Sequence, residues 1–309
     1  MKKATREAYG IALAEIAKTN DKIVALDADL SKSTKSADFK KEYPERFFNA
    51  GIAEANMIGM AAGMASAGLI PFASTFAMFA AGRAFEQIRN SVAYPKANVK
   101  IVGSHAGITV GEDGATHQAI EDMAIMRSIP NMVVINPCDA TETAAAIKAA
   151  AEYVGPVYIR TGRMAVEDIH PSGCEFKIGK GEVLRDGDSV AVIATGICVK
   201  MALEAAEELA EKGINTRVIN ISTIKPIDTD LIAKAAQDCK GIITIEEHSI
   251  VGGLGSAVTE VVSEICPVPV KRIGIEDVFG QSGKPADLLK IYGLTKENIV
   301  SKVEAMLNK

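Results

Sequence analysis

Short apolar runs rich in Val and Ile alternate with Ala-rich stretches of helical period along the whole chain. The runs do not alternate polar with apolar, which predicts strands covered on both faces at 23–27, 100–103, 132–135, 157–160, 189–195, 215–221, 241–245 and 268–273. Helical spacing predicts helices at 5–17, 54–67, 83–91, 117–128, 139–151, 199–212, 230–238 and 254–265, with a solvated closing helix in TKENIVSKVEAMLNK. Asp139 and Glu142 read as an N-terminal capping pair, and Gly213 as a helix stop. Strand–helix alternation of this kind predicts an α/β fold of doubly wound, mostly parallel sheets.

Between 162 and 187 the helical period lapses, and Pro171 and several glycines appear. This predicts a first unit over 1–170 and a smaller second one over 187–309. From Ala55 to Gly82 there is no formal charge. A membrane span needs about 20 predominantly apolar residues, so length permits one. Asn56, Ser66, Pro71, Ser74 and Thr75 interrupt the run and much of the rest is Ala and Gly, so it reads as two buried elements joined at 68–71, with no membrane span. The opening residues lack the apolar core of a signal peptide, which predicts a cytoplasmic chain.

With 48% hydrophobic and 24% charged residues, a mainly disordered or collagenous chain is excluded. Lys+Arg 34 against Asp+Glu 39 leaves a charge of −5, so there is no overall basic field for nucleic acid. An anionic ligand must then be met by a few local Arg or Lys. Five cysteines, with no CxxC pair, argue against zinc and against a secreted disulfide framework.

Four features could carry chemistry. Glu54 opens a helix that is otherwise apolar nearly all round, so it should be buried; a buried, unpaired carboxylate raises its pKa rather than staying charged. It also reads as an exposed helix-start Glu favoured by the dipole. Gly59 and Gly63 on the same helix suit a tight helix–helix contact, including one between subunits. The loop SHAGITVGEDGATHQAIED follows a strand and gathers His105, Glu112, Asp113 and His117, a set suited to acid–base work and to binding sugar hydroxyls, or to a plain polar surface. Phe76 and Phe79 form either an aromatic wall or core. Arg6, Arg160 and Arg163 suit bidentate phosphate binding or surface salt bridges.

These features occur together in one family. Over essentially its whole length the chain resembles the carboxy-terminal half of transketolase, through ATREAYGIALAEIA, ALDADLSKST, GIAEANMIGMAAG, PFASTFAMF, RAFEQIR, GSHAGITVGEDGATHQAIEDMA, RSIPNMVVINPCDATE, STIKPID and SGKPADLLKIYGL. The resemblance implies a thiamine-diphosphate pyrimidine-binding domain followed by a transketolase C-terminal-type domain. It implies that Glu54 matches the glutamate that hydrogen-bonds the aminopyrimidine ring nitrogen, and that Phe79, with Phe76, matches the aromatic wall against that ring. His105 and His117 would face the substrate hydroxyls and the reacting oxygen, with His117 as proton shuttle. Asp113 would bind a substrate hydroxyl, Arg6, Ser33 and Arg163 would grip the sugar phosphate, and Asp29 would lie beside the cofactor pocket.

The family's diphosphate and metal motif, GDG followed some way on by Asn, is absent from this sequence. The resemblance therefore implies one subunit of a split transketolase of the pentose phosphate pathway. A partner chain would supply the diphosphate domain with its magnesium or calcium, in a heterotetramer that self-associates across the pyrimidine domain. The beta subunit of a 2-oxo acid dehydrogenase decarboxylating component, a deoxyxylulose phosphate synthase-like fragment and a non-catalytic regulatory module remain as alternatives.

Overall fold

A computed structural model describes residues 2–308; Met1 and Lys309, the outer ends of the two expected units, lie outside the described residues. Its strands are numbered along the chain. A seven-stranded sheet holds β2 (Ile23–Asp27), β3 (Phe47–Asn49), β4 (Ile70–Phe76), β5 (Lys100–Ser104), β6 (Val133–Ile135), β7 (Val157–Arg160) and β12 (Thr223–Lys225). A five-stranded sheet holds β9 (Glu182–Arg185), β10 (Ala191–Ala194), β11 (Arg217–Asn220), β13 (Ile242–Ser249) and β14 (Val270–Ile275). A small antiparallel ribbon pairs β1 (Lys2–Ala4) with β8 (Ala165–Glu167).

The large sheet runs in the order β12-β6-β7-β5-β4-β2-β3 and is parallel except for β12. Its central strands are buried end to end, as their unalternated apolar runs require. Asp27 lies opposite Ser74, Phe76 opposite Ser104, and Gly103 opposite Arg160, so the carboxyl ends of β2, β4, β5 and β7 form one rim. The chain adds β3 on one side of β2 and β4 on the other. That reversal opens a crevice at the rim, where open α/β sheets place ligands. The smaller sheet follows the same logic, with β9 as its antiparallel edge.

The charge-free segment resolves into the helix Glu54–Ser66 and the central strand β4. The helix is not buried all round, however. Asn56, Gly59, Gly63 and Ser66 are exposed, and a Cβ added at Gly59 or Gly63 would meet nothing within 4 Å. Small side chains made the helix look uniformly apolar without giving it a second packed face. The expected helix 83–91 is also replaced: a π-turn, Phe79–Arg83, leads through a short α-helix, Phe85–Gln87, into a second π-turn, Ile88–Ala93. The expected helix 117–128 begins only at Asp122. Before it, the Gln118 amide donates to the carbonyls of Ile108 and Gln281, which holds the preceding stretch as a loop. Asp139 does cap Ala140–Glu152, but Glu142 reaches back to the Cys138 N–H rather than to that of Asp139. Cys138, Cys198 and Cys239 are buried and Cys174 and Cys266 half-buried, all as free thiols. No helix of the described residues is long and apolar enough to cross a membrane.

Two devices lock the sheets together. Strand β12, from the second half of the chain, pairs with β6 at the edge of the first sheet. His170, in the connecting segment, contacts Asp139 through Nδ1 at 2.8 Å and Glu182 of β9 through Nε2 at 3.0 Å. The bond to Asp139 outweighs burial and, with the nearby Glu142 and Glu182 charges, raises the His170 pKa to about 9. Burial works against the Asp139 carboxylate, yet bonds from His170, Glu142 and Ile169 keep its pKa below the usual value.

A folded pKa above the unfolded value of about 6.5 means this clamp is at full strength below about pH 6.5. It is lost as pH rises through about 9. We expect denaturant stability to fall between those limits and His170→Asn to flatten that fall. Urea titrations at pH 6, 7.5 and 9 check this; equal slopes in parent and variant would remove His170 as the cause.

Candidate active site

The side chains at the rim come from six connections along the first half of the chain. Glu54 stands at the first turn of its helix, after β3, and is 4% exposed. Its Oε1 accepts from Arg83 Nη1 at 3.0 Å, so the unpaired carboxylate expected from the sequence is in fact ion-paired. The π-turn after β4 carries both Phe79 and Arg83, and the Arg83 Cζ lies 3.9 Å from the Phe79 ring centroid. Wide turns of this type often mark functional positions.

Phe76, at the end of β4, stacks on Phe79 at 5.6 Å and on His105 at 4.0 Å. His117 meets Phe79 edge-on at 5.4 Å. Glu54, Phe76, Phe79, His105 and His117 thus form one cluster, from residues far apart in sequence.

His105 follows β5 with φ +56°, a conformation rare for a non-glycine residue. Its Nε2 is 3.4 Å from Arg6 Nη1, and its Nδ1 is 2.9 Å from Ser104 Oγ. An arginine can only donate, so Nε2 accepts and the ring proton sits on Nδ1. Burial first, then the charges of Arg6, Arg163 and His117, push its pKa down to about 3. The ring is therefore a neutral imidazole across the physiological range.

Arg6 Nη1 also donates to the Ser33 carbonyl at 2.8 Å, while Arg6 Nε is a buried donor with no protein partner. Arg163 lies 3.7 Å from the Glu112 and 3.8 Å from the Asp113 carboxylate, and its Nη1 donates to the Val110 carbonyl. Arg6 thus links Ser33 to His105, and Arg163, beside Asp113, is near enough for its charge to act on the His105 ring. Asp29 stands apart: it is exposed at φ +65°, and its carboxylate accepts from Asn49 Nδ2 at 2.9 Å. Arg160 corrects the expectation of a surface salt bridge. It is buried at the junction of the two sheets, bonding Asp122 at 2.9 Å and the carbonyls of Ala119 and Glu247.

Three residues escaped sequence reading. Arg83 is the charge that ends the charge-free segment, as Glu54 begins it. Asp27 is buried, accepts from the Thr34 and Ser36 hydroxyls at 2.7 and 2.8 Å, and has its pKa raised chiefly by burial. Glu247 lies buried in β13 and accepts the Thr109 N–H at 2.7 Å. It sits beneath Gly107, where φ is +81° and any Cβ would strike its carboxylate. Acids inside an apolar strand, Glu246 and Glu247, were the available signal. Elsewhere, donor atoms of Cys138, Asp139 and His170 lie within 4.8 Å of one another. Both His170 nitrogens and the Asp139 carboxylate are already taken by the hydrogen bonds that clamp the two sheets.

A buried glutamate joined through one arginine to an aromatic wall, at the rim of a parallel sheet, suits a flat heterocyclic cofactor. Residues 1–168 match the family described as Transketolase, pyrimidine binding domain, and residues 179–299 match Transketolase, C-terminal domain, which places the chain in the thiamine-diphosphate class. It belongs to the transketolase family, as a counterpart of a split-gene carboxy-terminal section. It is 55% identical to a putative transketolase C-terminal section of Methanocaldococcus jannaschii, over 99% of this chain and 97% of that one. It is 45% identical to the 6-deoxy-6-sulfo-D-fructose transketolase subunit SqwH of a Clostridium species, over 96% and 92%. A structure titled "Split gene transketolase, inactive beta4 tetramer" superposes with a TM-score of 0.93 at 55% identity, covering 99% of this chain and 98% of that one. These relatives are transketolase sections and subunits, which favours the transketolase reading over the dehydrogenase and deoxyxylulose phosphate synthase alternatives.

Two outcomes follow from the geometry. Nitrogen-15 NMR of His105 should report a neutral ring protonated on Nδ1 from pH 8 down to pH 5; an imidazolium signal at pH 6 would contradict the assignment. Gly107→Ala should destabilise the chain by at least about 2 kcal/mol, from backbone strain plus the clash with Glu247. Chemical denaturation measures this, and a loss under 0.5 kcal/mol would contradict the close approach.

Proposed function

We propose that this chain is the pyrimidine-side subunit of a two-chain, thiamine-diphosphate-dependent transketolase moving a two-carbon ketol unit between sugar phosphates. The observation that carries this reading is Glu54, a buried carboxylate joined through Arg83 to the Phe76–Phe79 wall. The donor set fits the cofactor: Phe79 offers a ring face, and Glu54 offers an oxygen that can share a proton with a ring nitrogen. Bound there, thiamine diphosphate supplies the carbon nucleophile for breaking and making bonds beside a ketose carbonyl.

The chain's own residues then bind, orient and move protons. Glu54 holds a proton at the pyrimidine nitrogen, in a site where burial strengthens the bond. His105, neutral and fixed by Ser104 and Arg6, orients a substrate hydroxyl. Half-buried His117 carries a proton to and from the reacting oxygen. Asp113 binds a substrate hydroxyl; Asp29, which stands apart from the cluster here, is left to the outer edge of the cofactor pocket on the family resemblance alone. Arg6, Ser33 and Arg163 grip the sugar phosphate; the unpartnered Arg6 Nε supports an anion there. Pentose and heptulose phosphates are the expected substrates.

The diphosphate and its magnesium or calcium fall to a partner subunit, because this sequence lacks the GDG–Asn motif. The relative named as a subunit and the solved tetramer titled inactive support partner dependence. The open stripe of Asn56, Gly59 and Gly63 suits self-association across the pyrimidine domain, giving a cytoplasmic heterotetramer with two copies of each chain.

Co-expression with an amino-terminal transketolase chain should yield ketol transfer that neither chain shows alone. Glu54→Ala should lower kcat by about 10²–10⁴-fold. Arg163→Ala should raise KM with a smaller change in kcat. A mixed complex that transfers no two-carbon unit would sink the reading, and a Glu54→Ala enzyme as fast as its parent would sink the residue assignment.

A further inference from the structure

Arg83 joins the two groups that the reading above gives to the pyrimidine ring. Its Cζ lies 3.9 Å from the Phe79 centroid, and its Nη1 donates to Glu54 Oε1 at 3.0 Å. A guanidinium is flat, delocalised and edged with N–H groups. An aminopyrimidine is flat, delocalised and edged with nitrogens. Each satisfies the same pair of neighbours, a ring face and a carboxylate. Phe76 already stacks on the Phe79 ring and His117 stands at its edge, so the guanidinium takes up the approach that a second flat group needs.

We propose that Arg83 is an internal occupant of the pyrimidine seat, and that the coenzyme enters only as Arg83 leaves. The inference rests on the pyrimidine reading and adds a residue that sets coenzyme affinity.

The arrangement answers a physical need. Glu54 is buried, and a buried carboxylate without a partner is costly. Arg83 supplies the counter-charge while the seat is empty. It is also poised to go, because its side chain is 52% exposed and Glu54 is the side chain it bonds. An ion pair with one partner in solvent is held weakly. Coenzyme affinity is then reduced by the fraction of molecules in which Arg83 holds the seat. The π-turn makes the exchange local: Phe79 and Arg83 sit at its two ends, so swinging Arg83 out leaves the ring in place.

The test uses the full chain assembled with its diphosphate-binding partner, in parent, Arg83→Ala and Arg83→Lys forms. Calorimetric titration with thiamine diphosphate and magnesium gives the affinity, and thermal midpoints are read without and with saturating coenzyme. Arg83→Ala should bind about tenfold tighter, equal to about 1.4 kcal/mol. It should melt lower than the parent when empty and at the parent's midpoint when saturated. Arg83→Lys, which keeps the charge but not the flat face, should fall between. Binding equal to or weaker than the parent's overturns the inference, as does an equal drop in both midpoints, which marks a structural brace. A parent complex that binds no thiamine diphosphate overturns the pyrimidine reading and this inference with it. Parent binding with no gain in the alanine variant overturns this inference alone.

Discussion

The ion pair between Glu54 and Arg83 is what lets a carboxylate sit inside the rim of the first unit. The two residues bound a segment with no other formal charge, and the fold brings its ends together at 3.0 Å. Between them the chain supplies a helix and the central strand β4, neither of which could tolerate a stray charge on its packed face. The buried Glu54 carboxylate therefore needs a counter-charge, and Arg83 delivers it from the edge. Placing that counter-charge on a π-turn, over an aromatic ring, leaves it half in solvent. The site then keeps a buried acid without sealing it away.

The second unit acts on the first from below the rim. Glu247 seats the loop that carries His105 to His117, through the Thr109 N–H and the bare α-carbon of Gly107. Arg160 ties the end of β7 to Asp122 and to the Glu247 carbonyl, so one guanidinium spans the junction. Ser282 and Pro285, from the second unit, pack against Gly114 and Gly111 of the same loop. A long glycine-rich loop is mobile by default. Here it is propped along its length, which fixes both histidines relative to the Phe76–Phe79 wall.

Much of the architecture was legible because buried parallel strands leave an unmistakable apolar run: β2 and β7 fall where the pattern put them. Candidate residues spread from position 54 to 117 were also legible, since Phe76, Phe79, His105 and His117 do converge and Arg83 joins Glu54 to them. What escaped has physical reasons. Ala and Gly report low polarity, not burial, so the open stripe on Glu54–Ser66 could not be told from a packed face. A π-turn has no periodic signature distinct from an α-helix over five residues. The Arg83 pairing and the burial of Arg160 depend on contacts between distant segments, which local pattern does not encode.

The crossing of β12 into the larger sheet has a consequence for how the polypeptide can be divided. Without that strand, β6 presents Val133, Val134 and Ile135 along a raw, unpaired border, all three of them buried in the intact molecule. Such borders recruit foreign strands and seed aggregation. The two halves are therefore poor candidates for separate production by severing the connector, however cleanly its composition suggests a seam.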